Sequence, residues 1–217
     1  MRIIFFGSSQ YCLPILNVLI NNFNLKGIIT ASDKQVGRKQ ILSPSPVKQF
    51  ALSHNLQYFT PSDKNQLLTL YNKLNSLNID LFVVADYGMI IPEKIFSLPR
   101  HKTINIHFSR LPEYRGPSPV QYTILNGEKS AWISFMLMAK DLDTGDILKQ
   151  IEFSLQGNET SGSLYTDLFN IAADNLVGVI NDYIKGELKP IPQDHTKATF
   201  TKMFNKEDGY IQLSLKC

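Results

Sequence analysis

Cysteine is close to absent from this chain. Its 217 residues contain two, Cys12 and Cys217. Two thiols so far apart in the sequence support neither a disulfide framework nor a cysteine-based zinc site. Cys12 lies in an apolar helical pattern, where a free thiol behaves as a small buried hydrophobe. Cys217 is the last residue and is expected to be exposed. Long hydrophobic runs are missing too. The start is basic and apolar, but Gly7 ends that run too early for a signal peptide, and no stretch approaches a membrane span. These absences predict a reducing, cytoplasmic setting and no membrane partner. Glycine and proline are modest, at 12 and 11 residues, which excludes fibrous and low-complexity classes. Charge of one sign is not in large excess. Lys and Arg number 22 against 19 Asp and Glu, a net +3 that permits nucleic-acid contact without demanding it. Also missing is Gly-x-Gly-x-x-Gly. Gly7-Ser8-Ser9 supplies only its first glycine, so a nicotinamide or flavin role is disfavoured. A helix starting there still offers its N-terminus to a polar substrate group, which makes Gly7, Ser8 and Ser9 candidate substrate contacts.

What is present is an alternation of short apolar strands with helical patterns. Strands are expected at 2–6, 26–30, 80–85 and 103–107, and helices at 10–22, 46–55 and 64–77, with Pro46 in a first turn and Asp63 as a cap. That order predicts an α/β fold, a Rossmann-like open and mostly parallel sheet with helices on both faces. Later, 132–138 and 147–153 read as two strands around a turn at Asp141–Asp146. Their short connection implies an antiparallel pair at the sheet edge. A long helix over 160–185 keeps apolar residues at helical spacing, and Gly186 suits its end. Leu188-Lys189-Pro190-Ile191-Pro192 reads as a stiff connector. The expected division is 1–187 as one domain and 188–217 as a connector toward a further domain absent here. The expected state is a monomer.

The chemistry concentrates in Asn105-Ile106-His107-Phe108-Ser109-Arg110-Leu111-Pro112 and in Leu142-Asp143-Thr144-Gly145-Asp146. On a strand, residues two apart share a face, so Asn105 and His107 point together at the carboxyl end, where open α/β sheets bind ligands. An amide donor beside an imidazole suits acyl transfer. The amide donates to a developing oxyanion, and the imidazole donates or takes a proton. A nearby carboxylate would favour the charged imidazolium. Taken alone, a strand-end Asn or His is usually structural and an acidic turn is usually a solvated loop. The oxygen spacing of that turn does not match an EF-hand, and no metal is implied. His54, His101 and His195 have no comparable company and read as surface or structural. The segment Ser32–Ser45 carries Lys34, Arg38 and Lys39. It reads either as a solvated loop or as a basic finger that grips a phosphate backbone.

Taken together, Asn-x-His, the loop Ser109-Arg110-Leu111-Pro112-Glu113-Tyr114-Arg115-Gly116 and Leu142-Asp143-Thr144-Gly145-Asp146 resemble the formyltetrahydrofolate-dependent formyltransferases. The resemblance covers nearly the whole chain and is strongest to the branch that formylates methionyl initiator tRNA. It includes Arg2–Gly7, Val36-Gly37-Arg38-Lys39, Ser43–Lys48, Ala85–Pro92, Thr199–Met203 and Lys206–Asp208. It implies that Asn105, His107 and Asp143 are the catalytic set. Asn105 and protonated His107 would donate to the oxyanion, while Asp143 would support the charged ring and relay the amine's proton. It also implies that 10-formyltetrahydrofolate is the donor and that initiator methionyl-tRNA is the acceptor, gripped through Arg38 and Lys39. The folate pocket would be Tyr87, Gly88, Met89, Ile90, Ile91 and Pro92, completed by Ser109, Arg110, Leu111, Pro112, Lys140, Asp141 and Leu142. Phe108 and Arg110 depart from the tRNA branch, and Asp86 is an unusual charge. Two rival readings follow: a sugar-nucleotide amine N-formyltransferase, and a non-catalytic folate- or RNA-binding module.

Overall fold

In the computed structural model, residues 1–36 and 40–210 are described. The chain runs β1 (Arg2–Phe6), α1 (Leu13–Asn22), β2 (Asn24–Ile29), β3 (Lys34–Val36), β4 (Ile41–Ser43), α2 (Pro46–Ser53), β5 (Tyr58–Phe59), α3 (Lys64–Thr69), α4 (Tyr71–Ser76) and β6 (Leu81–Val84). It continues through α5 (Glu93–Phe96), β7 (Thr103–His107), α6 (Pro119–Leu125), β8 (Ser130–Leu137), β9 (Ile147–Ser154) and α7 (Ser161–Lys185). One sheet of seven strands has the order β5-β2-β1-β6-β7-β8-β9. The pairs from β5 to β7 are parallel, and β8 and β9 each run antiparallel to their neighbour. The expected α/β sheet with an antiparallel edge pair is the observed one.

The central strands read as unbroken apolar runs because both faces are covered. Ile3, Phe5, Leu81, Val83, Ile104 and Ile106 enter one core, against α1 and α7. Ile4, Phe6, Phe82 and Val84 enter the other, with Leu67, Leu74, Ile95 and Phe96 from α3, α4 and α5. The long helix α7 is fastened at both ends. Thr160 and Ser163 form a reciprocal capping box, and Gly186 closes the helix at φ 79°.

Two local expectations change, and one short strand had no counterpart among them. The helix expected over 64–77 is two helices, α3 and α4, meeting at Leu70. The basic segment is not all loop, since β3 and β4 pair antiparallel with Gln35 opposite Leu42. Leu42 is exposed there, so no burial pattern announced the hairpin. The edge strand β5 is only two residues long, too short to show a period. Among the described residues, no helix is long and apolar enough to cross a membrane.

Candidate functional site

Pairing of β6, β7 and β8 sets the site. Asn105 lies opposite Val84 on one side and Met136 on the other, and His107 lies opposite Ser134. The pleat therefore turns Asn105 and His107 away from Ile104 and Ile106, toward the face that Val84 shares. Asn105 is half-buried, and its amide makes no hydrogen bond among the described residues. His107 is buried, and both its ring nitrogens face acceptors. Nε2 lies 3.0 Å from the carbonyl of Tyr114, which can only accept, so Nε2 carries the hydrogen. Nδ1 lies 3.6 Å from Asp143 Oδ2. That separation is too long for a hydrogen bond and short enough for a strong field between two buried groups. A charged ring would present an N–H to each.

Asp143 arrives from the turn between β8 and β9 in the left-handed conformation, φ 53°. Its Oδ2 accepts the Gly116 N–H at 2.8 Å. Gly145 makes the turn possible, because a Cβ there would sit 1.7 Å from the Leu137 carbonyl oxygen. The loop that carries Tyr114 and Gly116 is pinned to the sheet by Ser134. Its hydroxyl donates to the Ser109 carbonyl at 2.6 Å and accepts from Leu111 N–H at 3.2 Å. Gln150 Nε2 donates to Ser134 Oγ and to the Leu111 carbonyl.

The remaining candidates fall into groups. Tyr87 and Ile91 are buried in the core that holds Val84, with Met89 and Met138 packed against it. Tyr87 meets Phe6 edge-on at 5.3 Å, and burial pushes its phenol pKa up. Gly88 adopts φ 69° with open space where a Cβ would point, and Ile90 is exposed. Pro92 is buried ahead of α5. Lys140, Asp141 and Leu142 stand exposed on the turn. Ser109 Oγ donates to the Glu113 carbonyl, Leu111 is buried, Pro112 is half-buried, and Arg110 lies over the Trp132 ring at 4.8 Å. The charge flagged at Arg110 is thus met by an aromatic face. Phe108 is core, 4.4 Å from the Phe169 ring.

At the switch point between β1 and β6, Gly7 N–H donates to Ile29 O and Ser8 N–H to Asp86 O. Ser8 Oγ accepts from Ala31 N–H, and Ser9 Oγ lies 3.7 Å from Cys12 Sγ. Arg38 and Lys39 lie outside the described residues, as does Cys217. Among the described residues there is no cluster of His, Cys, Asp or Glu able to hold a metal.

Sequence reasoning missed the residues that fasten the site from behind. Arg115 is buried and donates through Nε and Nη2 to Gln193 Oε1 at 3.2 and 2.6 Å, and through Nη2 to His195 Nδ1 at 2.9 Å. Burial lowers the Arg115 pKa and the Asp143 charge raises it. Gln193 Nε2 donates to the carbonyls of Asp143 and Gly145. Thr199 and Thr201 hydrogen-bond the backbone of Tyr114, Arg115 and Ser118. The signal available was weak, an arginine inside the loop motif and a lone glutamine beyond two prolines.

The sequence matches the family described as formyl transferase over residues 1–180. A methionyl-tRNA formyltransferase from Clostridium novyi is 36% identical over 214 residues, covering 99% of this chain and 69% of the relative. A solved methionyl-tRNA formyltransferase from Clostridium thermocellum superposes with a TM-score of 0.66 at 20% identity, covering 100% of this chain and 78% of that one. A sugar 3N-formyltransferase, solved with dTDP and 5-N-formyl-THF, gives 0.69 at 22% identity, covering 96% of this chain and 70% of that one.

Proposed function

The chain belongs to the methionyl-tRNA formyltransferases of the formyl transferase family, and we propose that Asn105, His107 and Asp143 carry its formyl transfer. The observation that carries this reading is the meeting of Asp143 with His107 at 3.6 Å, beside an Asn105 amide that has no hydrogen-bond partner among the described residues. The proposed donor is 10-formyltetrahydrofolate. The residues present suit a flat apolar ring. Tyr87, Met89 and Ile91 form an apolar wall on the Asn105 face, and Gly88 leaves open space beside it. The neighbouring sugar enzyme was solved with a formyl-folate.

A neutral primary amine attacks the formyl carbon, and the carbonyl oxygen becomes an oxyanion. Asn105 donates to that oxygen from a partly dry site. His107 Nε2–H, held by the Tyr114 carbonyl in this structure, exchanges that acceptor for the same oxygen. Asp143 supports the positive ring and relays the amine's proton through solvent to the folate nitrogen, as the bond from that nitrogen to the formyl carbon breaks and releases tetrahydrofolate and the formylated amine. No covalent enzyme intermediate is required. The proposed acceptor is methionine on initiator tRNA, held by the basic segment of the sequence that includes Arg38 and Lys39, whose phosphate contacts would weaken with salt. We read residues 1–187 as the catalytic domain and 188–217 as a connector, in a cytoplasmic monomer.

The test is formyl transfer from 10-formyltetrahydrofolate to methionyl initiator tRNA, with an amino-sugar nucleotide as the parallel acceptor. Transfer to the tRNA, weakened by Arg38→Ala at moderate salt, is the expected result. Transfer to the sugar alone would overturn the acceptor while keeping the catalytic set.

A further inference from the structure

Residues 191–201 form no strand of the main sheet, yet they bond both loops that carry the site. Ile191 exchanges backbone hydrogen bonds with Ile147 at 2.8 and 2.9 Å, which anchors the segment at the start of β9. Ten residues on, Thr201 N–H donates to the Arg115 carbonyl at 2.7 Å. Between these anchors lies Gln193, buried to 6% exposure, whose primary amide is fully used. Its Nε2 donates to Asp143 O at 2.9 Å and Gly145 O at 2.7 Å. Its Oε1 accepts from both Arg115 Nε and Nη2. Arg115 is 3% exposed, and among the described residues it has no carboxylate in ion-pair contact. A buried guanidinium is costly unless its donors are met, so the Gln193 carbonyl is a substantial part of what holds Arg115 in place.

Two loops meet at this one side chain. One carries Asp143 in its left-handed turn. The other carries Tyr114, whose carbonyl faces His107 Nε2, and Gly116, whose N–H fixes Asp143 Oδ2. We propose that Gln193 is a positioning residue for the formyl transfer, setting the distance between the Asp143 carboxylate and His107 by joining the two loops that supply the acceptors of the ring. The inference rests on the reading of Asp143 as part of the catalytic set. Gln193 touches neither substrate in this assignment, so its loss acts on turnover rather than on binding.

The experiment is a double-mutant cycle in the 217-residue chain, with 10-formyltetrahydrofolate and methionyl initiator tRNA and single-turnover rates. Gln193→Leu keeps the bulk and removes every hydrogen bond. Its rate should fall roughly tenfold to a hundredfold, the scale of loss when a catalytic group is misplaced by about 1 Å. KM for both substrates should stay within about threefold. In the Asp143→Asn background, the added loss should shrink to less than about threefold, because residues acting as one unit are not additive. If Gln193→Leu does not fold, Gln193→Glu serves. It keeps the shape and the Arg115 acceptor but takes the N–H groups away from the Asp143 and Gly145 carbonyls, and the same cycle applies. Equal losses in both backgrounds, or a lowered Tm with an unchanged rate, would overturn the inference and leave the catalytic set standing. An Asp143→Asn enzyme with the parent rate would instead remove the catalytic reading, and this inference with it.

Discussion

The Nε2–H of His107 donates to the carbonyl of Tyr114 at 3.0 Å, seven residues along the chain. A backbone carbonyl cannot be a donor, so the bond fixes the position of one ring proton. Nitrogen-15 NMR of histidine-labelled protein at neutral pH should therefore report a protonated Nε2 for His107 before substrates are added. A lone pair at that nitrogen would contradict the arrangement. Loss of the whole ring in His107→Ala should reduce kcat more than it changes KM.

Asn105 offers the cleanest mutational test, because its amide makes no hydrogen bond among the described residues that its removal would break. Asn105→Ala should lower kcat by roughly a hundred- to a thousandfold, the usual cost of one oxyanion donor. Its Tm should stay close to the parent value. Paired kinetics and thermal melts check this, and a large Tm loss with unchanged kcat would assign the residue to structure instead.

Two glycines beside the site should lose stability on alanine substitution for different reasons and to different extents. At Gly145 the added carbon would meet the Leu137 carbonyl oxygen at 1.7 Å, so the β8–β9 turn must open. Gly145→Ala should cost about 3 kcal/mol or more in denaturant unfolding and carry Asp143 out of place. At Gly88 nothing lies within 4 Å, and only the backbone angle of φ 69° objects. Gly88→Ala should cost roughly 1–2 kcal/mol, with a raised KM for the formyl donor as its main kinetic effect.

Burial pushes the Cys12 thiol from 9.0 up to about 12, opposed by its contact with Ser9. The folded state thus keeps its proton when the unfolded chain has lost it. The stability this contributes is complete below pH 9 and is lost as pH rises toward 12. Two outcomes follow. Native protein at pH 8 should resist alkylation at Cys12 while denatured protein reacts. Cys12→Ala should also show a shallower fall in unfolding free energy across the alkaline range.

Much of the fold could be read from patterns that repeat over many residues. The apolar runs of β1 and β6 announce strands covered on both faces, and α7 shows its helical period and its stop at Gly186. Short elements carry no such pattern, which is why β5, α5 and α6 went unseen. The break at Leu70 lies among Thr69, Tyr71 and Asn72, weak helix formers, with no glycine or proline to mark it. Within the proposed site, the strand period alone put Asn105 and His107 on one face, and Asp143 joined them only through the resemblance to the formyltransferases. Gln193 and the Tyr114 carbonyl could be found in neither way. A backbone acceptor has no sequence signature, and a glutamine that acts across the fold leaves no local spacing to read.

The fastening of the loop by residues 193–201 also has a consequence for the order of events during synthesis. Tyr114 N–H bonds Thr199 across 85 positions, and Ser118 N–H bonds Thr201 across 83. As the chain leaves the ribosome, every strand of the main sheet and all three proposed catalytic side chains emerge before the residues that lock them. A chain halted after α7 would hold the complete sheet and still have the Tyr114 loop untethered on that side. On the proposed reading, the ability to turn over substrate is thus acquired only after the whole sheet has been made.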